Sequence, residues 1–188
     1  ALLLQRAAGG PALVVAPTSV CGNWLLEAAR FAPGLRFELY GDVLVGDEPE
    51  DDAQSVEDAA PADPARRVAR RRQVRALGPG QVLVCSYALL QIDADILAEQ
   101  RWHGIVLDEA QAIKNPATRR AKAAMALQGD FRLALTGTPI ENRLGELWSI
   151  MGFSNPGLLG SAEQFAKHFA NPIEREQDPH VKAQSSRR

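Results

Sequence analysis

Cysteine, histidine and aromatic residues are the scarce components of this 188-residue chain, at two, three and 6% respectively. Cys21 and Cys85 stand far apart with no C-x-x-C spacing, which argues against a disulfide framework or a thiolate zinc site and leaves two buried free thiols as the expectation. His103, His168 and His180 are equally scattered and give no ligand spacing for a metal. No apolar run approaches the roughly 18 residues of a membrane span, and no signal-peptide pattern opens the chain, so an intracellular, cytoplasmic protein without a membrane partner is expected. An excess of positive charge is missing too. The formal net charge is −2, so composition by itself offers no support for nucleic-acid binding. What remains is 46% hydrophobic, enough for one sizeable core.

That core has a readable centre. In Gly104-Ile105-Val106-Leu107-Asp108-Glu109-Ala110-Gln111 three apolar residues, two of them β-branched, predict a short buried strand, and two carboxylates fall where it should end. In a parallel α/β sheet ligands bind beyond the carboxyl ends of the strands, so this is where charged side chains meet substrate. An Asp so placed can hold Mg²⁺ on phosphate oxygens, and the adjacent Glu can orient an attacking water. The alternative is purely structural: Asp108 caps the next helix and Glu109 favours its positive end.

A second stretch, Phe131-Arg132-Leu133-Ala134-Leu135, predicts another strand, followed by Thr136-Gly137-Thr138-Pro139-Ile140-Glu141-Asn142. Its distance from Asp108 leaves room for one crossover helix and a return strand, so adjacent parallel strands would bring the two motifs together. The hydroxyls can then bond neighbouring carboxylates; the plainer reading is an ordinary Thr-Gly turn.

On these residues the chain resembles the Swi/Snf-type ATPases of helicase superfamily two. Asp108-Glu109-Ala110-Gln111 is similar to their motif II (Walker B), and Leu135 to Asn142, extended by Arg143-Leu144-Gly145-Glu146-Leu147-Trp148-Ser149, to motif III. The resemblance implies a RecA-like parallel α/β lobe over residues 1–173, with an acidic-then-basic insertion at about 43–78 and a tail or linker at 174–188. It implies ATP and Mg²⁺ as cofactors, with Asp108 on the metal, Glu109 on the water, and Gln111, Thr136, Gly137, Thr138 and Asn142 coupling nucleotide state to lobe movement. The implied partners are double-stranded DNA, a second RecA-like lobe, and DNA-bound proteins such as RNA polymerase, with nucleoid association if the source is bacterial. Gln111 departs from the family pattern, since many relatives have His there; an amide that both donates and accepts can keep the bridge. A non-hydrolysing binding module on the same fold is the competing reading.

In chain order, Ala12 to Ala16 predicts a central strand, and Pro17-Thr18-Ser19 after it resembles motif Ia, a loop that lies on a nucleic-acid backbone. Thr18 or Ser19 could equally be a helix cap. Val20, Trp24, Leu25, Ala28 and Phe31 recur at helical spacing, with Trp24 read as a core aromatic. Leu35 to Tyr40 and Gln81 to Cys85 predict further strands. Ser86-Tyr87 resembles motif Ic, a second backbone-contacting loop, although Tyr87 could as easily be a packed aromatic with its hydroxyl satisfied. The stretch 47–63 is acidic and poor in large apolar residues, which predicts a mobile loop. After it, Arg67, Arg71 and Arg75 would share one helix row, facing phosphates, the acidic loop or solvent. Ile92 to Arg101 predicts a helix, Asn115 a cap, Thr118 to Leu127 the crossover helix, and Leu144, Leu147, Trp148 and Met151 an apolar helical face.

No G-x-x-x-x-G-K-[ST] occurs in these residues. The resemblance places that phosphate cradle just before Ala1 and the second lobe after Arg188, so this piece alone is expected to be inactive.

Overall fold

A computed structural model describes residues 7–41, 64–137 and 144–165 of the chain. The acidic stretch 47–63, the tail 174–188, Thr138 and Asn142 lie outside the described residues. The strands are β1 (Ala12–Ala16), β2 (Arg36–Leu39), β3 (Gln81–Ser86), β4 (Arg101–Trp102), β5 (Gly104–Leu107), β6 (Gln128–Gly129) and β7 (Arg132–Ala134). The helices are α1 (Thr18–Phe31), α2 (Pro64–Arg75), α3 (Tyr87–Ile92), α4 (Ala94–Glu99), α5 (Arg119–Ala126), α6 (Leu144–Ser154) and α7 (Ala162–Phe165). Five strands form one sheet in the order β2-β3-β1-β5-β7, every neighbouring pair parallel, and β4 and β6 form a small parallel ribbon beside it.

The sheet is covered on both faces because its central strands β1 and β5 are apolar along their length and successive side chains point to opposite faces. Leu13 and Val15 point with Leu83, Cys85, Ile105 and Leu107 into a cluster completed by Leu90 of α3, Leu97 of α4 and Phe153 of α6. Val14 points the other way, with Val82, Val84 and Val106, toward Cys21, Trp24 and Leu25 of α1. Each such fully buried aliphatic side chain contributes about 1.5–3 kcal/mol relative to exposure. Cys21 and Cys85 are buried free thiols, one on each face. Gly9 and Gly10 end the first described turn against the His103 ring. A β-carbon at Gly10 would stand 2.4 Å from His103 Nδ1, so only glycine permits that approach.

Several local expectations need correction. The helix expected from Ile92 to Arg101 is two short helices broken at Asp93, whose carboxylate is fully buried and so cannot ride an exposed helical turn. The crossover helix α5 is capped by Thr118, which accepts from the Ala121 amide at 3.2 Å, while Asn115 accepts from Ala117 N at 3.0 Å in the preceding turn. Neither Thr18 nor Ser19 caps α1; Pro17 takes the cap position without a side-chain bond. On α6 the fully buried positions are Ser149 and Phe153, and Ser149 Oγ donates to Ile113 O at 2.5 Å. Trp148 lies nearer the surface, with Nε1 donating to Gly160 O at 3.2 Å.

The arginine row of α2 is zipped to α4. Arg67 reaches both oxygens of Asp95 at 3.0 and 2.8 Å, Arg71 bridges Asp95 and Glu99 at 3.1 Å each, and Arg75 contacts Glu99 at 3.4 Å. The spacing that aligns the arginines also aligns Asp95 with Glu99, one turn apart on the partner helix. Behind the zipper, buried Asp93 meets Arg70 Nε at 2.7 Å, Arg67 Nη1 at 3.0 Å and the Tyr40 hydroxyl at 3.1 Å. Burial pushes the Asp93 carboxyl up, against the pull of Arg70, Tyr40 and Arg67. The Tyr40 hydroxyl is likewise raised, by burial first and by the neighbouring Asp93 charge second.

Candidate functional site

A parallel sheet puts the ends of all its strands on one edge, and the chain spends its polar motifs there. Thr18 and Ser19 follow β1, Ser86 and Tyr87 end β3 and begin α3, Asp108 and Glu109 follow β5, and Thr136 and Gly137 come after β7. The loop beyond β5 is laced to its neighbours on both sides. Asp108 N donates to Val15 O at 2.8 Å, Ala110 N to Leu135 O at 2.7 Å, and Leu135 N to Leu107 O at 2.8 Å. These bonds extend the ladder past the assigned strands and fix both motifs against each other.

Within that frame the two acids and the threonine turn are joined through Gln111. Its Nε2 donates to Glu109 Oε2 at 2.7 Å, and its Oε1 accepts from Thr136 Oγ1 at 2.8 Å. The amide thus uses its donor on one motif and its acceptor on the other, which is the bridge expected of Gln111. Glu109 sits at φ 50°, and it alone among the described non-glycine residues has positive φ. A left-handed conformation in a non-glycine residue stores strain and persists only where neighbouring bonds hold it. Asp108 and Glu109 are half-buried; Thr136 and Gly137 are exposed.

Asp108 is held by donors from three places. Oδ2 accepts from Trp24 Nε1 of α1 at 2.8 Å, Oδ1 accepts from the Glu109 amide at 3.0 Å, and the backbone carbonyl accepts from the Tyr87 hydroxyl at 2.9 Å. Asp108 therefore caps no helix: the 3₁₀ turn Ala110–Ile113 begins at Glu109 without a side-chain cap bond. Trp24 is the residue that sequence reading missed. It does pack among the apolar residues under α1, as expected, but its indole N–H reaches an acid 84 positions away. No spacing in the sequence signals that pair; it exists because β1 and β5 are neighbours.

Of the four side chains expected on a nucleic-acid backbone, Thr18 and Ser19 are exposed on the first turn of α1. Ser86 and Tyr87 are buried at 1% and 2% exposure. Ser86 Oγ accepts from Leu89 N at 3.2 Å as the cap of α3, and Tyr87 is the packed aromatic with a satisfied hydroxyl. Among the described residues no group of three or more His, Cys, Asp or Glu side chains converges as a metal cage. Mg²⁺ needs no such cage, since it is commonly held by one or two carboxylates together with phosphates and water. Each oxygen of Asp108 accepts one bond from a neutral donor and keeps further lone-pair capacity, so the group fits that use.

Known proteins are similar to this chain along most of its length. The profile of the SNF2-related domain matches residues 2–186. The chain is 40% identical over 169 residues to YwqA of Bacillus subtilis, covering 89% of this chain and 16% of that protein. It is 37% identical over 167 residues to the chromatin-remodeling ATPase INO80 of Cryptococcus neoformans, covering 88% and 9%. It superposes on the Sulfolobus solfataricus SWI2/SNF2 ATPase core in complex with dsDNA with a TM-score of 0.69 at 38% identity, covering 96% of this chain and 32% of that one. The chain thus spans less than a fifth of the length of these curated relatives.

Proposed function

This chain belongs to the SNF2-related family, as part of an ATPase core of RecA-like fold, and from that premise we propose that its sheet rim serves ATP hydrolysis coupled to movement along double-stranded DNA. The observation that supports this reading best is the unbroken polar line from Glu109 through Gln111 to Thr136, set beside Asp108 at the carboxyl edge of a parallel sheet.

In this reading Asp108 would hold Mg²⁺, which when bound would neutralise charge on the phosphates of ATP. Glu109 orients the attacking water, its carboxylate steadied by the Gln111 amide. Gln111 passes the position of that carboxylate to Thr136, and Gly137, Thr138 and Asn142, from the same sequence motif, serve the same coupling. Thr18 and Ser19 contact the DNA backbone with hydroxyls and helix-start amides. Ser86 and Tyr87 act one step behind, Ser86 by fixing the start of α3 and Tyr87 by holding the Asp108 carbonyl. On this reading residues 1–173 are assigned to the lobe and 174–188 to a tail or linker.

Two measurements test the proposal. In the full-length protein, Glu109→Gln should abolish DNA-stimulated ATP turnover while leaving Mg·ATP affinity within a few fold. Retained turnover would refute the role of Glu109 and favour a non-hydrolysing binding module. The isolated 188 residues contain no phosphate-cradling G-x-x-x-x-G-K-[ST] loop. We expect calorimetry to find no micromolar Mg·ATP binding by them, and such binding would show that the rim suffices by itself.

A further inference from the structure

We propose that Trp24 is a positioning residue for the metal-binding carboxylate, fixing Asp108 through its indole N–H; the inference rests on the reading of Asp108 given above. The distance of 2.8 Å from Nε1 to Oδ2 is a full hydrogen bond, made between a helix on one face of the sheet and a loop at its edge.

The chemistry of the donor is the argument. A carboxylate meant for a cation must be oriented without being neutralised. A lysine or arginine at this place would hold the carboxylate but compete with Mg²⁺ for it. An indole N–H donates one bond, carries no charge, accepts nothing and does not titrate in the accessible range. Together with the Glu109 amide on Oδ1, it pins both oxygens of Asp108 while leaving acceptor capacity on each. The Tyr87 hydroxyl fixes the same residue from the backbone side. Carboxylate ligands held in this way lose about 10–100-fold in metal affinity when the supporting donor is removed.

The ring also packs against the apolar residues beneath α1, so a packing role has to be separated from the hydrogen bond. Trp24→Phe keeps an aromatic ring and deletes the N–H. In the full-length protein, binding of a fluorescent, non-hydrolysable ATP analogue is titrated with Mg²⁺, and Mn²⁺ occupancy of the same complex is read by electron paramagnetic resonance. For Trp24→Phe the half-saturating Mg²⁺ concentration should rise about tenfold and bound Mn²⁺ fall in step. Analogue affinity without metal should stay unchanged.

An unchanged Mg²⁺ requirement overturns the proposal, as does an equal loss of nucleotide affinity with and without metal, which is the signature of packing alone. If Trp24→Phe folds poorly, replacement of Trp24 by benzothienylalanine, which puts sulfur in place of N–H with the ring shape kept, carries the same two outcomes. A parent protein whose analogue binding ignores Mg²⁺ defeats the Asp108 reading and this inference together. A Mg²⁺-dependent parent with an indifferent Trp24→Phe defeats the inference alone.

Discussion

Asp93 is fully buried and Asp108 half-buried, and the chain treats the two in opposite ways. Asp93 is surrounded by cations: Arg70 and Arg67 supply guanidinium groups and Tyr40 a hydroxyl. Asp108 is surrounded by neutral donors, an indole, a backbone amide and, through its carbonyl, a phenol. The first environment pairs a fully buried charge with two cations and keeps it out of reach of a ligand. The second keeps the charge in place and available. Under the proposed function, the charge of the donors separates the architectural carboxylate from the one that serves chemistry.

The comparison breaks most visibly if the same substitution is made at both sites. Asp93→Asn puts an amide N–H against the donors of Arg70, Arg67 and Tyr40, leaves one of them unsatisfied and should cost roughly 1–3 kcal/mol, read by urea unfolding of the chain. Asp108→Asn keeps an oxygen for the Trp24 N–H and should cost no more than roughly 1 kcal/mol. Comparable losses at both sites would mean that donor charge does not separate the two roles.

A finer distinction lies inside the arginine zipper and concerns pH. Burial works to raise the Asp95 carboxyl, but the hydrogen bond and charge of Arg67 outweigh it and hold the group below its ordinary value of 3.8. Its contribution to stability is then present in full above about pH 3.8 and is lost as the pH falls through the depressed value. Asp93 has the opposite sign: raised in the folded state, its ionisation erodes stability as the pH climbs from 3.8 to that higher value. Asp95→Asn should therefore destabilise by less than about 1 kcal/mol at neutral pH, because the pair is largely exposed, and the difference from the parent should shrink toward zero in acid. A difference that persists well below pH 3 would place the effect in packing instead.

These contrasts also show which parts of the molecule the sequence exposes. The strands were readable because a sheet covered on both faces needs unbroken apolar runs, and Ala12 to Ala16 or Gly104 to Leu107 have no other use. The rim was readable because Asp108 and Thr136 stand where those runs stop. The break at Asp93 was not, since a single acid inside a helical pattern looks solvated until Tyr40 and two arginines from α2 are seen to converge on it. The same holds for the zipper: the arginine row could be drawn on a helix, but its partners on α4 come from a tertiary contact. Trp24 was half readable, its packing face from helical spacing and its N–H partner not at all. The cap at Thr118 shows a competition settled locally, where Asn115 spends its side chain on an earlier turn and the next hydroxyl takes the helix.

The amide at position 111 has one more consequence. A histidine placed there would change its pattern of donors near pH 6.5, so that the relay from acid to threonine would rearrange with each modest acidification of the cell. Gln111 neither takes up nor gives off a proton, and its two ends are unlike, which gives the relay one fixed polarity. Under the proposed function, coupling through such a contact keeps the same timing between fuel and stroke whether its surroundings are slightly acid or slightly alkaline.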